Sequence, residues 1–209
     1  AQAQRALDPQ QPLPLIVLAE QQLAGRGRRG RQWASPYAQN IYISLAEPVS
    51  AGGAGLEGLS LLVGLCLVQA LEDVGYRGCQ LKWPNDVLLD NAKLAGILLE
   101  ISGDLTGDAV VVIGVGVNVL LDSAASIDQA WTSLLRSGQH ATLDRNELIA
   151  ALLRRLAPAL DAFHRQGFAP FQQQWMTRNA WAGKAVKVVS GSNELYGVDA
   201  GVNARGALL

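Results

Sequence analysis

Between residues 25 and 31 the chain places four arginines among three glycines, as Gly25-Arg26-Gly27-Arg28-Arg29-Gly30-Arg31. Guanidinium groups stay charged and grip phosphate or carboxylate oxygens bidentately, while interleaved glycines let the backbone approach an anion closely. The run therefore suits a polyphosphate clamp. By itself it suits an RNA-binding basic patch or a solvated charge run just as well. Trp33, two residues on, is either a core residue or a platform for a purine base. The spacing Gly25-x-Gly27-x-x-Gly30 also matches a dinucleotide fingerprint, but Ser35-Pro36 and a strand follow where that motif requires a helix. The dinucleotide reading is rejected.

Three further segments carry polar groups in apolar surroundings. Lys82-Trp83-Pro84-Asn85-Asp86-Val87 sets Lys, Asn and Asp on a turn between two apolar runs, at one rim of a sheet. In Lys93-Leu94-Ala95-Gly96-Ile97-Leu98-Leu99-Glu100, one lysine leads an otherwise small and aliphatic strand. In Gly114-Val115-Gly116-Val117-Asn118-Val119, glycines stand where a strand should carry side chains, which marks a bulge or the close approach of another group. Asn118, inside an apolar run, needs hydrogen-bond partners, and a ligand's polar atoms are candidates. Each segment has a plain structural alternative: an ordinary turn, a strand-end lysine reaching solvent, a packed strand.

The elements that must hold these groups can be read from periodicity. An apolar, β-branched run at 15–19 reads as a buried strand delivering Glu20-Gln21-Gln22 into the Gly/Arg loop. Aliphatics alternate with Tyr42 and Ser44 over 41–45, a period-2 strand with one aliphatic face. A Pro/Gly loop at 47–55 leads to a helix over 56–74 that is apolar nearly all round and so belongs at the centre. From 79 to 119 the text is short Val/Ile/Leu runs punctuated at Pro84-Asn85-Asp86, Asp90-Asn91 and Gly103-Asp104, an antiparallel sheet. Asp144 and Glu147 form a capping box for an amphipathic helix that Pro158 should kink or restart. A further helix is expected over 168–178, and Gly-punctuated strands at 184–190 and 194–197 suggest a second small β unit. Residues 1–7 suit a helical turn ended by Asp8-Pro9.

The whole chain narrows the field. Its 209 residues, 49% hydrophobic and 17% charged, describe an apolar-leaning packed protein with room for one core and an enzyme site. A net charge of -1 disfavours a nucleic-acid role built on overall charge. Cys66 and Cys79 lack metal or redox spacing and read as reduced core thiols. The first twenty residues carry prolines and acids where a signal peptide would be basic and then apolar, and 56–74 is too interrupted to span a bilayer, so a cytoplasmic location is expected. His140 and His164 are expected on helix or loop surfaces without a catalytic partner.

Taken together in this order, the four segments resemble the biotin protein ligase family. The matching texts are GRGRRGRQW within 22–33, KWPNDV at 82–87, KLAGILLE at 93–100 and GVGVNV at 114–119, with the likeness extending to Leu209. The resemblance implies an α/β fold of α+β type: a mixed, mostly antiparallel sheet with packed helices, related to class II aminoacyl-tRNA synthetases and followed by an SH3-like β-barrel. It places a biotin/ATP-binding catalytic domain at 1–180, with its N-terminal part missing, and a partial, truncated barrel at 181–209. The family's Ser-Thr-Asn triplet, which binds the ureido ring of biotin, does not precede Gln22. No helix-turn-helix precedes the catalytic part, so operator binding is not expected of this chain.

The implied function is ATP-dependent: biotin and Mg-ATP give biotinyl-5'-AMP and pyrophosphate, then a specific lysine of a biotin carboxyl carrier protein attacks the mixed anhydride. By position, the resemblance gives Lys93, Arg26 and Asp86 to catalysis, Asp86 orienting the incoming lysine. It gives Gln22, Gly25, Arg26, Arg28, Lys93 and Gly96 to biotin. Arg28, Arg29, Arg31, Trp33, Asn85 and Asn118 go to ATP and the adenylate, Trp33 stacking on adenine. No protein metal ligand is assigned; Mg2+ would arrive with the nucleotide. The implied partners are biotin and a carboxyl carrier domain, with a homodimer through sheet edges compatible and neither membrane nor nucleic acid expected. A lipoate or octanoate ligase of the same fold is the near alternative, and a nucleic-acid-binding module using the arginine loop the distant one.

Overall fold

The computed structural model describes residues 12–49, 55–103, 109–124, 127–139 and 144–209. The expected helical turn at 1–7, His140, Asp104 of the 103–104 turn and most of the 47–55 loop lie outside the described residues. Six strands form one sheet: β1 (Leu15–Ala19), β2 (Ile41–Pro48), then, after helix α1 (Leu59–Asp73), β3 (Cys79–Lys82), β4 (Asp86–Leu89), β5 (Ala92–Ser102) and β6 (Val110–Val117). Their order is β1-β2-β6-β5-β4-β3. Every ladder is antiparallel, and the parallel component is confined to the isolated bridges Leu81–Asn179 and Lys93–Trp131.

One face of this sheet is the core. Ile41, Ile43 and Leu45 alternate onto it from β2, and Ile113, Val115 and Val117 do so from β6; all are buried. Against that face lies α1, which packs on β3, β4 and β5 and buries eleven of its fifteen residues, as its nearly all-apolar text requires. Gly58 caps it with φ 80, where a Cβ would also sit 2.6 Å from Phe168, so both conformation and space demand glycine.

After the short α2 (Leu134–Ser137), α3 (Arg145–Gln166) lies against α1. Its cap is Asp144, whose carboxylate accepts the Asn146 amide at 2.8 Å. Of the kink or restart expected at Pro158, the restart is corrected: α3 runs through Pro158 as one 22-residue element. Buried Leu152, Leu156, Leu160 and Phe163 on either side of the proline anchor its inner face, so packing outweighs the missing backbone bond. A 3-10 turn at Ala169–Phe171 and α4 (Gln172–Met176) fill the 168–178 segment.

A second expectation also needs correction. β1 is an edge strand rather than a buried one, with Ile16 43% and Leu18 53% exposed. Those two residues share the helix side of the sheet with Leu45 and Ile43, but α1 covers the opposite half, and among the described residues the one strand paired with β1 is β2. The last element is an antiparallel hairpin, β7 (Ala185–Ser190) with β8 (Asn193–Val198), separate from the main sheet.

Candidate active site

The sheet face away from α1 is floored by small residues. Cross-strand partners share a face, so the register sets Ala19, Tyr42, Gly116 and Gly96 in one row and Val17, Ser44, Gly114 and Leu98 in the next. In Gly114-Val115-Gly116-Val117 the valines point into the core and the glycines outward, which hollows the face. A groove of about 1140 Å3 runs over this floor, bounded by the Gly/Arg loop, the 82–86 turn and β7. What approaches the glycines is Trp33: a Cβ on Gly116 would lie 2.7 Å from the indole, and one on Gly96 3.2 Å from it.

The Gly/Arg loop is itself a small hairpin. Trp33 donates its amide to the Gly25 carbonyl at 2.9 Å, Arg26 and Gln32 bridge, and Gly27 donates to the Arg31 carbonyl at 2.7 Å around a 3-10 turn at Arg28–Gly30. Gly25 has no room for a side chain, because a Cβ would meet the Trp33 carbonyl at 2.8 Å and the Gln22 amide oxygen at 2.9 Å. Three arginines then reach to three different elements. Arg26 pairs with Glu100 of β5 at 2.9 Å, Arg28 donates to the Asn85 side-chain oxygen at 3.3 Å, and Arg29 donates to the Val189 carbonyl of β7.

Lys93 reaches the same groove through a backbone irregularity. It lies three residues from Gly96, so strict alternation would turn it to the core. The register of β4 on β5 instead pairs Val87 with Ala95 and Leu88 with Lys93, and the extra residue, Leu94, forms a bulge. The bulge re-aims Lys93 to the groove, beside Gly96 and with its ammonium 5.6 Å from the Trp33 ring centre. There it meets Asp86 at 2.6 Å, with 16% and 15% of the two side chains exposed. The 82–86 turn is braced on three sides. Asn85 donates to the Ile97 carbonyl at 2.8 Å, Ser60 of α1 donates to the Pro84 carbonyl at 3.0 Å, and the Trp83 indole donates to the Gly206 carbonyl at 3.1 Å.

Of the residues singled out in the sequence, Gln22, Arg26, Arg28, Arg29, Arg31, Trp33, Asn85, Asp86, Lys93 and Gly96 line this one groove. Gly25 shapes the loop behind it. Asn118 stands apart, buried at 4% exposure, and its amide donates to the Thr132 carbonyl at 3.0 Å and the Lys93 carbonyl at 3.5 Å. Its contacts fasten the start of β5 to the segment before α2. Sequence reasoning missed Glu100, Tyr42 and the contribution of β7. Period-2 alternation from Gly96 would have found Glu100, and counting from Ser44 would have put Tyr42 on the groove face. Burial pushes the Tyr42 phenol above its ordinary range against weaker opposing contacts from Ser35 and Asn40, so it is a neutral donor, bonded to the Pro36 carbonyl at 3.3 Å. Among the described residues no cluster of three His, Cys, Asp or Glu could hold a metal ion, and no helix is long and apolar enough to cross a membrane.

Residues 3–118 match the family model described as the biotin/lipoate A/B protein ligase family. The chain is 40% identical over 195 residues to the bifunctional ligase/repressor BirA of Escherichia coli, covering 92% of this chain and 60% of that protein. It is 37% identical to the biotin--[acetyl-CoA-carboxylase] ligase of Paracoccus denitrificans, covering 92% of this chain and 82% of the relative. Among solved structures, the Aquifex aeolicus biotin protein ligase in complex with biotin and ATP superposes with a TM-score of 0.79 at 28% identity, over 92% of this chain and 80% of that one. With the family model matching more than half its length and the Paracoccus relative covered over four-fifths, the chain belongs to the biotin/lipoate A/B protein ligase family.

Proposed function

We propose that the chain activates biotin with ATP to biotinyl-5'-AMP and passes the biotinyl group to a lysine of a biotin carboxyl carrier domain. The observation that carries this reading is the groove in which Lys93, Asp86 and the arginine loop converge over a glycine floor. It is supported by the biotin and ATP bound in the Aquifex relative and the biotin ligase activity named for the Paracoccus one.

In the first step a biotin carboxylate oxygen attacks the α-phosphorus and pyrophosphate leaves. Lys93 is the cation that neutralises charge on the carboxylate and phosphate oxygens, with Arg26 and Arg28 closing over them and Arg29 and Arg31 facing the departing pyrophosphate. Gln22 and the backbone at Gly25 approach biotin over the Gly96 floor, while Trp33 and Asn85 serve the nucleotide side and Asn118, behind the groove, holds the backbone at Lys93. When Lys93 turns to the phosphate it releases Asp86, whose carboxylate then orients the ammonium of the acceptor lysine. Once that ammonium has lost a proton to solvent, the neutral amine attacks the anhydride carbonyl and AMP leaves. Of the acidic residues lining the groove, Asp86 and Glu100 are each ion-paired and Asp199 is held by Asn179 and Gly201, which suits a magnesium ion carried by the nucleotide's phosphates better than one caged by protein.

The chain spans 60% of the length of the Escherichia coli relative, so whole-protein properties are part of the same proposal. These are a cytoplasmic location, a catalytic unit over 1–180 with a β-barrel beginning at 181, and a homodimer. The outer edge of β1 has no ladder partner among the described residues, whereas the β3 edge is capped by the bridge from Leu81 to Asn179. Edge pairing would therefore use β1. The test of activity is adenylate formation by mass spectrometry. Biotin with Mg-ATP should yield biotinyl-AMP, and product from lipoate or octanoate but not biotin would overturn the reading.

A further inference from the structure

We infer that Glu100 is a positioning residue for the Gly/Arg loop, holding Arg26 so that the loop is laid across the groove before substrate arrives. Glu100 lies on the groove face of β5, in alternation with Gly96 and Leu98, and its register partner is Val112. Four residues on from Gly96, it stands about 13 Å along the strand from that glycine. Both its carboxylate oxygens meet the same Arg26 nitrogen, at 2.9 and 3.0 Å. Arg26 in turn sits where the loop is narrowest, between the Gly27–Arg31 and Gly25–Trp33 backbone bonds and in register with Gln32. A tether at that position fixes the loop hairpin as a unit. Glu100 pairs with a loop arginine through its carboxylate, whereas Arg28 and Arg29 use an amide oxygen and a backbone carbonyl.

The pair is partly exposed, 45% on Arg26 and 25% on Glu100, so it adds little to global stability. Its effect falls on the population of docked loop. A loop that must be ordered by substrate raises the apparent KM in proportion to the lost docked fraction and leaves the saturated rate unchanged. Glu100 acts through Arg26 and does not touch the reacting atoms.

The experiment is hydrogen exchange on the chain without added substrate, comparing wild type, Glu100→Gln, Glu100→Asp and Arg26→Gln. Peptides covering 25–33 should exchange about fivefold faster in Glu100→Gln and Arg26→Gln, with peptides covering β5 and β6 unchanged and Glu100→Asp in between. Unchanged loop exchange in both neutral variants with an intact sheet overturns the inference. The kinetic arm rests on the biotin-activation reading. KM for biotin should rise about fivefold in Glu100→Gln with the saturated rate within about twofold of wild type, and a fallen rate at unchanged KM would overturn the positioning role. Should wild type activate no biotin at all, the proposed function fails, while the exchange arm still decides the tether.

Discussion

Lys93 and Asp86 meet at 2.6 Å inside a wall that leaves each about one-sixth exposed, so neither can be changed alone without consequence for the other. Lys93→Ala should lower adenylate formation by about 100-fold or more, the scale of losing one preorganised charge at the reacting centre. It should also lower stability by about 1–3 kcal/mol, because the Asp86 carboxylate is left buried without its partner. Adding Asp86→Asn should recover most of the stability and none of the activity, as read by denaturant melts alongside mass spectrometry. Recovery of activity would remove Lys93 from the chemistry. The cysteines are the opposite case. Burial pushes both the Cys66 and the Cys79 thiols up to about 12. At pH 8 the thiolate is then roughly one part in ten thousand, so a thiol reagent should titrate neither residue until the chain is unfolded. Fast labelling of native protein would contradict that packing.

The elements show how far the sequence could be read. The strands, the central helix and the hairpins follow from periods of two and 3.6, and the four chemical segments were legible because arginines, glycines and a lone lysine are costly to place without cause. The glycines of β6 mark a close approach in the sequence, but what approaches Gly116 is non-local: Trp33, brought in by a loop eighty residues earlier. The bulge that turns Lys93 to the groove has no local signature, since Leu94 is as apolar as its neighbours and only the pairing with β4 exposes the extra residue. The edge position of β1 and the continuity of α3 through Pro158 are likewise set by what packs beside them. Gly116→Ala tests the floor. Its methyl would come within 2.7 Å of the indole, so Trp33 must move, and KM for ATP should rise at least about tenfold while the fold survives. Gly114→Ala meets only Leu98, at 3.5 Å, so any loss of binding there would report direct contact with substrate. A normal KM in Gly116→Ala would separate Trp33 from the site.

At the scale of the molecule, the groove is completed by parts far apart in sequence: the loop at 25–31, the 82–86 turn, the strand from Lys93 and the β7 hairpin. The join between sheet and hairpin is polar and buried. Asp199, 4% exposed, accepts from the Asn179 side chain and the Gly201 amide, both at 2.8 Å, and Asn179 lies where the segment after α4 bridges to β3. Asp199→Ala strands both donors and should cost about 1–3 kcal/mol in a denaturant melt; a neutral result would mean the hairpin is not held by this contact. The central claim, that one groove receives both biotin and nucleotide, is tested most directly by isothermal titration of biotin with and without a non-hydrolysable ATP analogue. The account predicts saturable biotin heat at one site per chain, with affinity raised by the analogue because both ligands contact the same arginine loop. No biotin heat, or biotin affinity indifferent to the analogue, would contradict it.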